Sequence, residues 1–303
     1  MGIEKISAKL TAPAISWPLM VIINHSITSR IMPCEWKIAS VTPFTRRVHE
    51  TCLTATDQFF PVISKIYEKI LYEQLTEYLE NETILTDHQF GFRRFHSTAS
   101  AFLDCTNKWY VNMDRCLYNM VVFLDLKKVF DIVNHEILLN KFVAYGILDS
   151  ALDLLSSYLI DRKQKCEVNG ISSQLRKIHR AVPQESILGP LLLIYINDLP
   201  NCLEYATPRL FADDESITVA GKLVNEIEVT LNHDVVNMKN WLSANKLNLN
   251  IAKTEYMLIG PKPVINTLEL PHIFIENDHV ERVHKIKILY VHIDESLTWE
   301  KHR

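Results

Sequence analysis

Glycine is scarce in this 303-residue chain, with 7 in all, which excludes collagen-like and glycine-rich linker material. The 6 cysteines form no C-x-x-C pair and none pairs with histidines at zinc-finger spacing, so neither a disulfide scaffold nor a zinc finger is expected. Cys34, Cys52, Cys105, Cys116, Cys166 and Cys202 read as reduced, buried thiols of an intracellular protein. Excess positive charge is also missing: the formal net charge is −4, so total charge does not suggest a nucleic-acid partner. The longest internal apolar run, Ile187 to Ile196, is about half the length that spans a bilayer. At the N-terminus Glu4 breaks the basic lead of a signal peptide, and Pro13 and Pro18 interrupt the apolar stretch up to Ile23. No membrane partner is expected, and no localisation signal is legible. There is no internal repeat and no low-complexity linker.

What is present is a globular balance, 48% hydrophobic and 22% charged, in a chain long enough to bury a core. From about Val62 to Glu80, Ile63, Ile66, Tyr67, Ile70, Leu71, Leu75, Tyr78 and Leu79 recur on one helical face, with Lys and Glu on the other. A second helix is expected from about Asn225 to Leu242, with Ile227, Leu231, Val235, Met238 and Leu242 as its stripe. Met120 to Leu124 reads as a buried strand ending at Asp125. Leu210 to Ala212 and Ile217 to Val219 read as short strands, joined by a turn of Asp213, Asp214, Glu215 and Ser216. Tyr256 to Ile259 and Ile286 to Ile293 are further strand candidates. A carboxylate-tipped hairpin implies antiparallel pairing, which favours an α+β fold over a doubly wound sheet. One stretch is locally basic: Arg162, Lys163, Lys165, Arg176, Lys177 and Arg180, with Glu167 among them, and by itself it reads as a solvated face.

Three carboxylates carry the chemical argument: Asp125, Asp213 and Asp214. Adjacent like charges raise each other's pKa unless a cation lies between them. Hard oxygen donors without histidine or thiolate select Mg²⁺ or Mn²⁺. Two such ions about 3.5–4 Å apart can activate an attacking hydroxyl and stabilise a leaving phosphate oxygen.

Phe123-Leu124-Asp125-Leu126-Lys127-Lys128-Val129-Phe130-Asp131 resembles the first catalytic motif of reverse transcriptases. Val182-Pro183-Gln184-Glu185-Ser186-Ile187-Leu188-Gly189-Pro190 resembles their template-and-nucleotide motif, and Phe211-Ala212-Asp213-Asp214 their second catalytic motif. Each has modest specificity alone; the three in this order are highly specific. Upstream, Leu85-Thr86-Asp87-His88-Gln89-Phe90-Gly91-Phe92-Arg93-Arg94 and His96-Ser97-Thr98 are similar to the fingers segment of jockey-like elements. Downstream, Trp241-Leu242, Asn245-Lys246-Leu247 and Lys253-Thr254-Glu255 resemble the segment after the active-site hairpin. The resemblance, to the reverse transcriptase domain of non-LTR retrotransposons, covers nearly the whole chain, from Gly2-Ile3-Glu4 and Glu35-Trp36-Lys37 onward.

That resemblance implies a right-hand polymerase fold, with fingers and a palm built on an antiparallel sheet covered by helices and a truncated thumb. The expected division is an N-terminal extension and start of the fingers at 1–61, fingers at 62–119, palm at 120–265 with a fingers insertion around 139–181, and the palm's end with the start of a thumb at 266–303. It implies an RNA template, a DNA primer and a dNTP as partners, with Mg²⁺ (or Mn²⁺) as cofactor. Asp125 and Asp213 would hold the two metals, with Asp214 supporting them as the third catalytic carboxylate. The backbone of Leu126 would lie near the triphosphate, and Phe130 where the family excludes a 2′-hydroxyl. Gln184 would contact the template base or nucleotide, Arg93 and Arg94 the template or triphosphate, and Lys253 the leaving pyrophosphate. The basic stretch from Arg162 to Arg180 would track phosphates.

Four departures are visible. Phe44 to Phe60 does not match the family's motif there and lacks helical or strand periodicity. Glu185 replaces a glycine that lets backbone approach substrate. Leu191-Leu192-Leu193-Ile194-Tyr195 is one residue short, and one deletion turns a helix by about 100°. Leu289-Tyr290-Val291 replaces a Leu-Gly-Val primer-gripping turn. Two readings follow: an RNA-directed DNA polymerase, or a non-catalytic polymerase-like remnant that binds nucleic acid.

Overall fold

The computed structural model describes residues 8–44, 55–59, 62–127, 129–168, 170–178, 180, 187, 189–212, 214–261 and 271–299. The chain divides into two compact units, one formed by 1–84 and 130–195, the other by 85–129 and 196–303.

In the first unit the helix Val62–Asn81 forms where the apolar spacing places it. Its buried face is rotated from the expected stripe: Ile66 is exposed, while Ser64 and Glu68 are buried beside Tyr67, Leu71 and Leu75. Polar groups can replace apolar ones there because each finds a partner. Ser64 Oγ donates to the Trp36 carbonyl at 3.1 Å. Glu68 accepts from the Tyr158 hydroxyl at 2.9 Å and from the Ile187 amide at 3.2 Å. The unit's sheet runs Ala55–Phe59, Ile38–Phe44, Lys163–Val168, Ile171–Ser172, with Arg176–Lys177 also on Lys163–Val168. Ala55–Phe59 is thus a strand although its sequence shows no alternation; antiparallel pairing with Ile38–Phe44 makes it one. The segment 45–54, which includes Cys52, lies outside the described residues.

Two expectations need correction. Arg162 is not part of a basic surface: it is 2% exposed, donates to the Tyr158 carbonyl at 3.2 Å and lies 4.7 Å from that ring's centre. Lys177 pairs with Asp161 at 2.5 Å, and Lys165 with Glu167 at 3.6 Å, so part of the remaining positive charge is neutralised locally. The cysteines are not uniformly buried either: Cys105 is, whereas Cys34 and Cys116 are exposed.

The helix Pro190–Ile196, expected from the resemblance to be a residue short, is buried at every position from Leu191 to Ile196. A helix that is apolar on nearly all sides is a buried one.

The second unit carries a five-stranded sheet in the order Glu281–Arg282, Glu255–Ile259, Tyr118–Asp125, Asp214–Gly221, Thr207–Phe211. All pairings are antiparallel except that of Glu281–Arg282 with Glu255–Ile259. Alternation sends Val121 and Phe123 of the central strand to one face. There they pack with Cys105 and Trp109 of the helix Thr98–Asp114 and with Ile293 and Leu297. The helix Val224–Ala244 lies against Asp214–Gly221 and Tyr118–Asp125, burying Ile227, Leu231, Val235, Met238 and Leu242, the expected stripe. The architecture is α+β, an antiparallel sheet covered by helices.

One polar group in that helix is fully buried. Asp234 accepts from the backbone amides of Glu204, Tyr205 and Ala206 at 3.0, 2.8 and 2.5 Å and so ties the helix to the chain entering Thr207–Phe211. Asp234→Ala strands these donors and is expected to cost about 3 kcal/mol. Denaturant unfolding of the two proteins checks this; a difference below about 1 kcal/mol would show that water replaces the carboxylate.

The expected strand Ile286 to Ile293 is instead a hairpin, Lys285–Ile288 paired with Val291–Asp294. Its two-residue turn is Leu289-Tyr290, both at positive φ, 46° and 70°. That is the type I′ pattern, which suits Asn-Gly and strains side chains with a bulky Cβ substituent. Replacing the pair by Asn-Gly is expected to raise stability by about 1 kcal/mol. Thermal melts measure this, and an unchanged melting temperature would mean that neighbouring contacts absorb the strain.

Candidate active site

Asp125 ends the central strand and Asp214 begins the next, and they are partners in the antiparallel register. Directly opposed residues have Cα atoms about 4.5–5.5 Å apart with side chains on one face, so two carboxylates share one rung of the ladder. The hairpin turn is shorter than the sequence suggests. Phe211 pairs with Asp214, so the ladder reaches Asp214 itself, and Ala212 adopts φ 58°. Glu215 and Ser216 belong to the strand, with Glu215 buried on the opposite face. The ladder with the central strand extends regular pairing into residues whose polarity reads as turn. Asp213 lies outside the described residues, as do Gln184 and Glu185.

Asp125 is held from the segment before Lys253. Asn250 Nδ2 donates to Asp125 Oδ2 at 2.6 Å, and the Asn250 amide donates to the Asp125 carbonyl at 2.7 Å. Leu126, buried, bridges Leu249, and the Lys127 amide donates to the Asn248 carbonyl at 2.8 Å. Sequence reasoning missed Asn250. The only signal was Asn248 and Asn250 two apart, so that one side of an extended segment presents two amides.

Asp125, Asp214 and Lys253 line one cavity of about 510 Å³, walled by Trp109, Arg209, Glu255 and the hairpin tip at Leu289 and Tyr290. Lys253 sits at the end of the short turn Ile251–Lys253. Burial pushes the Glu255 carboxyl up, and the Glu281 charge paired across from it adds to the shift. Burial also opposes ionisation of Asp104, but the Arg209 and Lys108 bonds and charges outweigh it and hold the carboxyl below its usual range. Cys105 is pushed up by burial, which leaves an unreactive thiol. Among the described residues no group of three or more His, Cys, Asp or Glu could hold a metal ion.

Arg93 and Arg94 are not among the residues that line this cavity. Arg93 donates to the carbonyls of Thr86 and Gln89 at 2.9 and 3.2 Å, so its guanidinium braces its own turn. Arg94 is exposed, its guanidinium 5.0 Å from the Phe95 ring centre. Phe130 is half-buried on the short helix Val129–Ile132 and falls in the first unit.

The hairpin tip is braced from a second direction. The Phe90 amide donates to the Leu210 carbonyl at 2.8 Å, and the Leu210 amide to the His88 carbonyl at 2.9 Å. Gln89, fully buried, accepts from the Gly91 amide at 2.7 Å. Gly91 then passes so close to Ala212 that a Cβ would overlap the Ala212 amide nitrogen and lie 3.1 Å from the Phe211 carbonyl carbon.

Residues 57–293 match the reverse transcriptase (RNA-dependent DNA polymerase) family. The chain is 29% identical over 308 residues to "Probable RNA-directed DNA polymerase from transposon BS" of Drosophila melanogaster, covering 94% of this chain and 32% of that protein. It is 25% identical over 300 residues to "RNA-directed DNA polymerase from mobile element jockey" of the same organism, again covering 94% and 32%. The chain therefore spans about a third of the length of these curated relatives. Among solved structures it resembles apo telomerase from Candida tropicalis, truncated from its C-terminal domain. That likeness has a TM-score of 0.55 at 9% identity, over 89% of this chain and 55% of that one. At that identity it is a likeness of fold. No helix among the described residues is long and apolar enough to cross a membrane.

Proposed function

The chain belongs to the reverse transcriptase (RNA-dependent DNA polymerase) family, of the kind found in non-LTR retrotransposons, and from that premise we propose that it adds deoxynucleotides from dNTP to a DNA primer 3′-hydroxyl on an RNA template. The observation that carries this proposal is the opposition of Asp125 and Asp214 on one rung, facing a cavity that Lys253 also lines.

The donor set fits Mg²⁺ or Mn²⁺: carboxylate oxygens at both positions, like charges that a divalent cation would neutralise, and no histidine or thiolate on the rung. Asp125 and Asp214, with Asp213 adjacent to Asp214 in sequence, would hold the ions. Bound there, they would activate the attacking hydroxyl and stabilise the leaving oxygen. The chain's own residues do the rest. Asn250 donates to Asp125 Oδ2 and so fixes the orientation of that carboxylate. The Leu126 backbone is proposed to lie near the triphosphate and Lys253 to give charge or a proton to the leaving pyrophosphate. Phe130 and Gln184 are proposed to read sugar and base, and Arg94, rather than the engaged Arg93, to meet the template. The palm proposed at 120–265 has its sheet in the second unit, and the fingers insertion proposed around 139–181 lies in the first.

Primer extension on an RNA template with Mg²⁺ or Mn²⁺ tests the reading. Extension above the background of the Asp125→Asn protein is expected. Equal background in both would favour the non-catalytic, nucleic-acid-binding reading.

A further inference from the structure

Among the described residues Phe95 is the most exposed large apolar side chain, at 89%. It also holds positive φ, 63°, as does Phe92 at 52°, with Phe92 exposed as well. An L residue in that conformation costs about 1–2 kcal/mol, and a ring as exposed as that of Phe95 returns little burial. Folding alone therefore gives no reason for the exposed Phe95 ring.

The loop is nonetheless fixed at both ends. Gly91 is wedged against Ala212, Arg93 braces the carbonyls of Thr86 and Gln89, and Ser97 caps the helix Thr98–Asp114 through the Ser100 amide at 3.1 Å. Its charge has one sign: Arg93 and Arg94 lie within it, and no acidic residue occurs from His88 to Ser97. The Arg94 guanidinium stands over the Phe95 ring at 5.0 Å, which leaves most of the aromatic surface open.

A rigidly presented ring with a cation against it and basic neighbours matches one partner chemistry, the unpaired bases and phosphates of a single strand. We propose that Phe95, with Arg94, is a stacking platform for a base of the single-stranded RNA template where it approaches the hairpin bearing Asp214. The inference deepens the polymerase reading and rests on it for the identity of the strand; the stacking is measured without nucleotide addition.

The test is equilibrium binding of fluorescein-labelled single-stranded oligo(U), oligo(dT) and a duplex of equal length, followed by anisotropy in the absence of dNTP. Phe95→Ala is expected to weaken both single strands about tenfold and the duplex much less. Phe95→Trp should retain affinity, with its indole emission quenched on binding. Arg94→Ala should reduce the salt dependence of binding. Thermal melts of Phe95→Ala should match the parent, since an exposed ring contributes little to folding. Tighter binding of oligo(U) than of oligo(dT) supports the template assignment, and the reverse order overturns it. Unchanged affinity of Phe95→Ala, or equal loss for single strand and duplex, overturns the platform. So does self-association that Phe95→Ala abolishes while oligonucleotide affinity stays constant, because the ring would then serve a second copy of the chain. If primer extension fails while Phe95-dependent binding persists, polymerisation is lost and the platform stands. If extension proceeds while Phe95→Ala leaves binding unchanged, polymerisation stands and the platform is lost.

Discussion

Asp125→Asn is expected to lower primer extension by about a thousandfold, the equivalent of roughly 4 kcal/mol of transition-state stabilisation. The substitution keeps the side chain's shape and removes its charge from the rung shared with Asp214. Removing one of two facing like charges does not destabilise the strand pair, so the melting temperature should stay level or rise. Asp214→Asn should behave alike. Asn250→Ala should fall between, losing about tenfold, because it frees Asp125 Oδ2 from its 2.6 Å donor without touching the charge. Single-turnover extension with parallel melts separates these effects. An Asp125→Asn protein within tenfold of the parent would remove Asp125 from the chemistry, whatever its position.

The second large effect is expected from a residue without a functional group. Gly91→Ala places a methyl against the Ala212 amide and 3.2 Å from the Ala212 Cα, and both neighbours are backbone. Backbone in a paired hairpin cannot yield as a flexible side chain would. The turn that leads into Asp214 must move, or the pairing of Phe90 with Leu210 must open. Overpacking of this kind costs about 1–3 kcal/mol. Displacing a catalytic group by about 1 Å can cost on the order of a hundredfold in rate. Gly170→Ala is the control: its φ is +80°, but a Cβ there would meet nothing within 4 Å, so only backbone strain of about 1 kcal/mol applies. A Gly91→Ala protein with parental rate and melting temperature would show that the hairpin tip has room to shift.

Legibility in the sequence varied with the kind of information each feature needs. The helices Val62–Asn81 and Val224–Ala244 and the strands Tyr118–Asp125 and Glu255–Ile259 were legible because apolar spacing and apolar runs are local signals. Asp125, Asp214 and Lys253 could be named as candidates because a motif is a string of residues. Asn250 and Gly91 could not be assigned their bracing roles. An asparagine's role depends on what lies 125 residues away, and a glycine's on which backbone approaches it.

By itself, then, the sequence determined the family, the α+β class and the principal amphipathic helices, and it named the candidate carboxylates, since all of these reside in local pattern or residue order. Tertiary structure alone decided register and burial. It brought Asp214 into the sheet, because pairing with the central strand extended the ladder to that residue. It folded the expected strand Ile286 to Ile293 into a hairpin by pairing Ile288 with Val291. It buried Glu68 and Asp234, whose residue types predict exposure, because segments 90 and about 30 residues away supplied the donors that offset the loss of water. Such donors lie outside any local window of sequence, and only the folded chain brings them within hydrogen-bonding distance.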